Sequence, residues 1–520
     1  MKFIDFSCKK QLSFFFLGTA VFQLHAQLPD ISYTTPNVFY VGQTIPLLEP
    51  TNVGGVVNAE VLVSTFAGSG NQGAANGNGT AASFKFPTYV AFDASNNLVV
   101  VDRSNHLIRK IMANGDVTTL AGTGAIGMQN GDATAATFKF PDGAVTDSNG
   151  NLFITDQSNH IIRKITPEGV VSTLAGTGIL GSNDGDGVTA SFYFPAGIAV
   201  DGNDNLYVAD FGNNKVRKIT PDGTVSTFAG TGAVGSDNGT ALMATFNGLT
   251  GVAIDSENNV FVADYYNNII RKIDALGMVT TFSGTGIAGS TDGVATIASF
   301  NRPASITIDS HQNLFVTDEN NNTIRKIDSN GTTSTYAGIG TIGSDDGAAL
   351  TASFNHPTGL VVDGNVLYVA DYSNHKIRKI NRYGYSISPA LPNGLFFDEA
   401  TGIISGTPAE SFPPTDFTIV ASNSFGTDSF VVNLAVDTLS ADEFSIGFIR
   451  IAPNPVQNSF SLIAEQPITS LHIYTALGQE VLSLNTLSTS TIDVSQWSKG
   501  VYFADLRMGE KEKRVTIVKE

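Results

Sequence analysis

The sequence predicts an all-β protein centred on a six-bladed β-propeller of four-stranded blades, closed by an N-terminal strand. Three observations carry that prediction. The run D-x-x-N-[NH]-x-[IV]-R-K-I occurs six times, opening at Asp102, Asp156, Asp210, Asp264, Asp318 and Asp371, at steps of 54, 54, 54, 54 and 53 residues. Each repeat divides into four short β-prone runs separated by turn residues. A last-strand motif, V-[ST]-T-x-[AS]-G, begins at Val63, Val117, Val171, Val225 and Val279, with the variant Thr333 as a sixth. Its first copy precedes every Arg-Lys strand, and no copy follows the last one.

Composition agrees with short strands joined by tight turns. The chain has 520 residues, of which 53 are Gly, and only 15% are charged. That length exceeds one hydrophobic core, so several domains are expected.

Residues 1–26 read as a signal peptide. Lys2, Lys9 and Lys10 precede an apolar run from Leu12 to Leu24, and Leu24-His25-Ala26 before Gln27 reads as a cleavage site. No later stretch approaches the 18 apolar residues of a membrane helix, so no transmembrane segment is expected in the mature chain. Cys8 is the only cysteine and lies in the leader, ahead of the apolar run. The mature chain therefore has no disulfide, thiolate metal site or thiol nucleophile. It would carry 26 basic against 46 acidic side chains, a balance that repels phosphate backbones, so nucleic acid is not an expected partner.

Residues 58–383 form the propeller. The unit from Pro195 runs Gly197-Ile-Ala-Val-Asp201, Asn205-Leu-Tyr-Val-Ala-Asp210, Lys215-Val-Arg-Lys-Ile219 and Val225-Ser-Thr-Phe-Ala-Gly230. The runs are rich in Val, Ile and aromatics, and Asp-Gly and Asn-Asn pairs between them accept φ > 0. Each unit is a meander that cannot bury its apolar faces alone, so the units stack, and radial stacking of four-stranded sheets makes a propeller. The unmatched first copy of the last-strand motif then supplies the outer strand of the sixth blade from residues 61–68.

These residues resemble the NHL-repeat family over roughly 58–383, on V-A-D-x-x-N-x-x-I-R-K-I following an inner G-V-A-V-D strand. The resemblance implies a six-bladed propeller. It also implies a choice between a binding scaffold and, in a minority of members, an enzyme such as a lyase with a metal in the central channel.

Residues 384–437 contain Tyr385-Ser-Ile-Ser-Pro389, Gly402-Ile-Ile-Ser-Gly-Thr-Pro408 and Phe430-Val-Val-Asn-Leu-Ala-Val436. They resemble bacterial putative-Ig domains, which are Ig-like β-sandwiches. The strand that opens that family's domain is matched by Val41-Gly42 through Thr51-Asn52-Val53-Gly54-Gly55, on the other side of the propeller. Residues 27–57 and 384–437 are therefore expected to be two parts of one split Ig-like domain, with the propeller inserted between them. Residues 438–450 read as a linker.

Residues 451–520 carry Ile451-Ala-Pro-Asn-Pro455, Leu471-His-Ile-Tyr-Thr-Ala-Leu-Gly478 and Gly500-Val-Tyr-Phe-Ala-Asp-Leu506, ending in a basic stretch. This is similar to the type A sorting domain of the Bacteroidetes type IX secretion system, a β-sandwich. The resemblance implies type IX secretion machinery as a partner, and a product secreted or held at the cell surface.

The repeat offers few chemical groups. Neighbouring side chains of a strand point to opposite faces, so the six Arg-Lys pairs form no single cationic patch, and each Arg is expected to meet the Asp that opens its hairpin. His106, His160 and His375 share a hairpin position with Asn214, Asn268 and Asn322, as residues that tolerate a left-handed turn. The Gly/Asp/Asn-rich loops, such as Asn183-Asp-Gly-Asp186, lack the ligand spacing of a calcium loop, leaving calcium or another divalent ion as a weak alternative to no cofactor.

Departures from the repeat mark a polar rim. At the start of the inner strands, Tyr89 and Ser305 replace Gly, Asp142 follows its Pro, and Arg302 and His356 precede theirs. The leading expectation is an exported binding or scaffold protein whose rim presents a site for a glycan, peptide or protein. The alternative is a channel-rim hydrolase or lyase with His356 as base, Arg302 holding an anion and a divalent ion near Asp142.

Overall fold

The computed structural model describes residues 27–438, 449–464, 468–485, 491–508 and 511–520. The signal-peptide reading at 1–26 and most of the linker lie outside the described residues. Among those described there is no α-helix: the regular elements are strands and one-turn 3-10 helices, and no helix is long and apolar enough to cross a membrane.

Six sheets form the propeller. Blade one runs from the inner strand Pro87–Phe92 through Leu98–Asp102 and Leu107–Ile111 to Asp116–Ala121, each strand antiparallel to the last. The inner strands of blades two to six are Ala144–Thr146, Pro195–Val200, Leu249–Ile254, Pro303–Ile308 and Pro357–Asp363. The outer strand of blade six is Val61–Ala67, paired with Lys376–Arg382 from Ile377↔Ala67 to Arg382↔Val61. The ring is closed by sealing its first strand onto its last blade.

Strands alternate inward and outward faces, yet Leu98–Asp102 and its equivalents in blades two to five are buried at every residue, because both faces meet a neighbouring blade. Between blades one and two, Val99 and Val101 pack with Phe138 and Ile154. Phe84, Phe138, Phe192, Phe246, Phe300 and Phe354 are wedges of this kind, all fully buried. Near the axis the inner strands approach so closely that a Cβ on Gly197 would lie 2.2 Å from Thr250 O, and one on Gly359 2.5 Å from Thr88 O.

The repeated charges pin this packing. Arg109, fully buried, donates from Nη1 to Asp102 Oδ2 at 2.9 Å and to Ser83 O, and from Nη2 to Ala75 O and Asn76 Oδ1. It thereby ties the loop that precedes its blade to the hairpin within it. Its guanidinium lies 5.4 Å from the Phe84 ring, while its Nε has no hydrogen-bond partner. Asp102 also accepts from Lys85 N and Asn105 Nδ2. The other five blades repeat the Arg–Asp pair at 2.8 to 3.0 Å.

The partner Lys of each pair stays partly exposed on the opposite face, as strand alternation requires; Lys218 Nζ, for example, lies over the Tyr207 ring.

The chain joins and leaves the ring at one end, through Glu60 and Tyr383, whose backbones are hydrogen-bonded. There a four-stranded sheet follows in the order Asn37–Tyr40, Gly426–Asp437, Phe412–Asn423, Gly384–Ser388, the first pair parallel. Ile31, Tyr33, Ile45 and Leu48 share one core with Tyr385, Ile387, Ile404, Phe417, Ile419, Val432 and Leu434. Residues from both flanks of the propeller thus bury one another. Arg382 bridges this sheet to the ring, donating to Glu399 Oε2 at 2.8 Å and Asn365 Oδ1 at 2.9 Å.

The last segment packs a three-stranded and a four-stranded sheet around Phe460, Leu471, Ile473, Tyr502, Leu506 and Ile517.

Candidate functional site

The opposite end of the ring is built by six hairpins with one design. In each, a one-turn 3-10 helix follows the buried Asp and ends on a left-handed residue: His106, His160, Asn214, Asn268, Asn322 and His375, with φ between 51° and 58°. These side chains clamp neighbouring blades together. His106 Nδ1 accepts from Phe140 N at 3.1 Å, His160 Nδ1 from Phe194 N at 3.2 Å, and Asn268 Oδ1 from Arg302 N at 2.9 Å. The hairpin tips therefore lean onto the next blade.

That lean exposes the residue just after each buried Asp. Arg103, Gln157, Phe211, Tyr265, Glu319 and Tyr372, one per blade, all line a cavity of about 480 Å³ at this mouth. None was singled out from the sequence. The signal was present, because this is a freely varied position inside an otherwise repeated run.

Of the residues the sequence does single out, Tyr89, Asp142 and Ser305 line the cavity with them. Arg103 Nη1 donates to Asp142 Oδ1 at 2.7 Å and Nη2 to Gln157 Oε1 at 2.6 Å, while Gln157 Nε2 donates to Asp142 Oδ2 at 3.1 Å. Both carboxylate oxygens of Asp142 are thus engaged by protein donors. Burial pushes the Asp142 carboxyl above its ordinary value, against the pull of Arg103.

Arg302 and His356 flank the cavity without lining it. Both occupy left-handed backbone, at φ 58° and 52°, which turns them toward neighbouring hairpins. Arg302 stacks over Tyr265 and Tyr266 at 5.6 and 5.7 Å, and His356 Nδ1 lies 3.6 Å from Glu319 Oε1. Glu319 is held up by burial, opposed by its bond to Tyr265 and by His356 and Arg302. The five residues are therefore split: Tyr89, Asp142 and Ser305 face the cavity, whereas Arg302 reaches it through Tyr265 and Tyr266 and His356 through Glu319.

Below the mouth the channel continues as an apolar cavity of about 330 Å³, lined by Val90, Ile198, Val252, Ile306 and Leu360 among others. No group of three or more His, Cys, Asp or Glu side chains among the described residues is arranged to hold a metal ion. The mouth offers broad aromatic faces, paired charges of both signs and several neutral donors and acceptors, which suits a small polar ligand with an apolar face.

Comparison with known proteins agrees with this architecture. An NHL repeat profile matches residues 192–219 and 300–327, in blades three and five. A Putative Ig domain profile matches 367–437, reaching back into strands that here complete blade six, and a secretion system C-terminal sorting domain profile matches 450–520. The chain is 30% identical over 334 residues to NHL repeat-containing protein 2 of Homo sapiens, covering 56% of this chain and 46% of that protein. Its Bos taurus counterpart is 29% identical over 337 residues, at 57% and 46% coverage. The chain thus spans just under half the length of these relatives. A solved structural genomics protein of unknown function from Bacteroides thetaiotaomicron VPI-5482 shares the fold, with TM-score 0.50 and 16% identity over 68% of this chain and 98% of that one. The chain carries NHL repeats on a β-propeller, together with a putative Ig domain and a secretion system C-terminal sorting domain.

Proposed function

We propose that this is an exported binding protein whose propeller mouth holds an extracellular ligand and whose Ig-like domain is the stalk. One observation supports it above the others. The first variable position of the repeated hairpin run, directly after its Asp, lines a single cavity in all six blades, whereas the invariant Asp and Arg serve packing. A propeller that served only as a spacer would have no use for charged, amide and aromatic side chains gathered from all six blades at one mouth.

The reading also explains the arrangement of parts. Residues 27–57 and 384–437 form one Ig-like domain into which the propeller, 58–383, is inserted. The stalk joins the ring at the end away from the mouth, through Glu60, Asn365 and Arg382, and leaves the mouth free to meet a ligand. Residues 1–26 serve as the leader and 451–520 as the type IX export signal, delivering the protein to the cell surface or the medium.

The test is a screen of the purified mature chain against glycan, peptide and surface-protein arrays, beside the variant Arg103→Ala/Tyr265→Ala/Glu319→Ala. Ligands bound by the first and lost by the second are expected. Failure of the mature chain to bind anything, or equal binding by both, would defeat the reading.

A further inference from the structure

Tyr89 lines both the mouth cavity and the apolar channel beneath it, and no other residue lines both. It stands where blades two, three, four and six have Gly143, Gly197, Gly251 and Gly359. Its strand differs accordingly: Tyr89 pairs with Val101, whereas blade three jumps from Pro195 to Ile198. The phenol is the floor of the mouth and separates it from the rest of the channel. Ser305, the second residue to replace that Gly, is 3% exposed beside it. Tyr89 faces Ser305, yet Ser305 Oγ completes no hydrogen bond of normal geometry with it or with any other group. A buried hydroxyl left unpaired is costly, so a polar group entering the mouth gains by meeting it.

We propose that the mouth binds the terminal one or two rings of a neutral saccharide, inserted end-on against Tyr89; this rests on the reading of the mouth as a ligand site. The charges argue for neutrality: Arg103 is paired with Asp142, and Arg302 stands beside Tyr265 and Glu319, so neither an anion nor a cation finds an unmatched partner. Phe211, Tyr265 and Tyr372 offer flat faces to the C–H surface of a sugar ring. Arg103, Gln157, Glu319 and Ser305 supply donors and acceptors at different heights for its hydroxyls. The floor stops a chain from threading the channel, so an end must enter, and about 480 Å³ lies in the range of small-molecule sites.

The experiment is calorimetric titration of the full mature chain with glucose, mannose, galactose, N-acetylglucosamine and their linear neutral oligomers, with a random hexapeptide pool as a second arm. Tyr89→Gly and Ser305→Gly restore the residue most blades carry, so both should fold. Saturable binding of at least one neutral sugar is expected, weakened about tenfold in Ser305→Gly by loss of a buried hydrogen bond and at least tenfold in Tyr89→Gly. The same oligomer capped with bulky aryl groups at both ends should bind at least tenfold more weakly. Absence of any neutral-sugar binding, indifference to both Gly variants, or tight binding of the capped oligomer would each overturn the proposal. Peptide binding that Tyr265→Ala abolishes would overturn the saccharide class alone and leave the mouth a ligand site; if Tyr265→Ala abolishes nothing, both readings fall.

Discussion

His375, in the last blade, accepts a hydrogen bond at Nδ1 from the backbone N–H of Phe86, in the first, at 3.2 Å. It joins the two ends of the ring at the mouth, as the strand Val61–Ala67 joins them along the outer edge. Only an imidazole unprotonated at Nδ1 can accept that bond.

Acid should therefore loosen three of the six clamps. Burial lowers His106, His160 and His375 below the ordinary imidazole value. As pH falls through about 6.5, the unfolded chain takes up protons that the folded imidazoles refuse, so stability present above that pH is lost below it. The buried Asp102 and Asp318, raised to about 6 by burial, act in the other direction, since the folded state binds their protons more tightly between about pH 4 and 6. Comparing variants isolates the histidines. His106→Asn/His160→Asn/His375→Asn should match the parent at pH 7.5 and exceed it at pH 5 in urea denaturation; parallel behaviour at both pH values would refute this.

Arg217→Ala should destabilise the propeller by about 3–5 kcal/mol, because it strands the Asp210 carboxylate in the interior. It also releases Ser191 O, Asn183 O and Asp184 from the same guanidinium. Arg217→Lys should recover little, since one ammonium cannot span those acceptors in the guanidinium's fork geometry. Chemical denaturation gives both values, and a loss under about 1 kcal/mol for the Ala variant would contradict the pinning role.

Close approach at the axis makes opposite predictions for one repeat position. Gly197→Ala, with its new Cβ 2.2 Å from Thr250 O, should lower the melting temperature through overpacking of about 1–3 kcal/mol. Tyr89→Gly, at the equivalent place, should still fold cooperatively, because it introduces no clash there, although it gives up the packing of the Tyr89 ring. Equal melting of Gly197→Ala and parent would show that the blades yield at the axis.

The Ig-like sheet should fold only when both of its pieces are present. Residues 385–437 alone lack Ile31, Tyr33, Ile45 and Leu48 of the shared core, so no cooperative transition is expected. Residues 28–57 fused to 384–437 should regain one in thermal circular dichroism. A cooperative transition of 385–437 by itself would show the core to be self-sufficient.

The ring was legible in the sequence because a fixed spacing demands identical stacked units, and the unmatched strand at Val63 identified the seal. The pairing of each Arg with its Asp followed from strand alternation. Tyr89 and Ser305 stood out because they replace a Gly that the crowding of inner strands otherwise requires. Arg103, Gln157, Phe211, Tyr265, Glu319 and Tyr372 were hidden in plain view, as one of three unconstrained letters of the motif. Whether that letter faces solvent or axis depends on how the hairpin tip leans, and the lean is set by clamps to the next blade. Arg302 and His356 illustrate the converse. Their left-handed backbone carries them to a neighbour, which the order of residues alone does not reveal.

The seal has a consequence for incomplete chains. Val61–Ala67 is the first propeller strand to be synthesised, yet its neighbour Lys376–Arg382 is the last. A polypeptide truncated anywhere between them keeps two naked sheet borders, each able to pair with another chain. Only the closed ring conceals both, so it distinguishes whole propellers from fragments by adhesiveness alone.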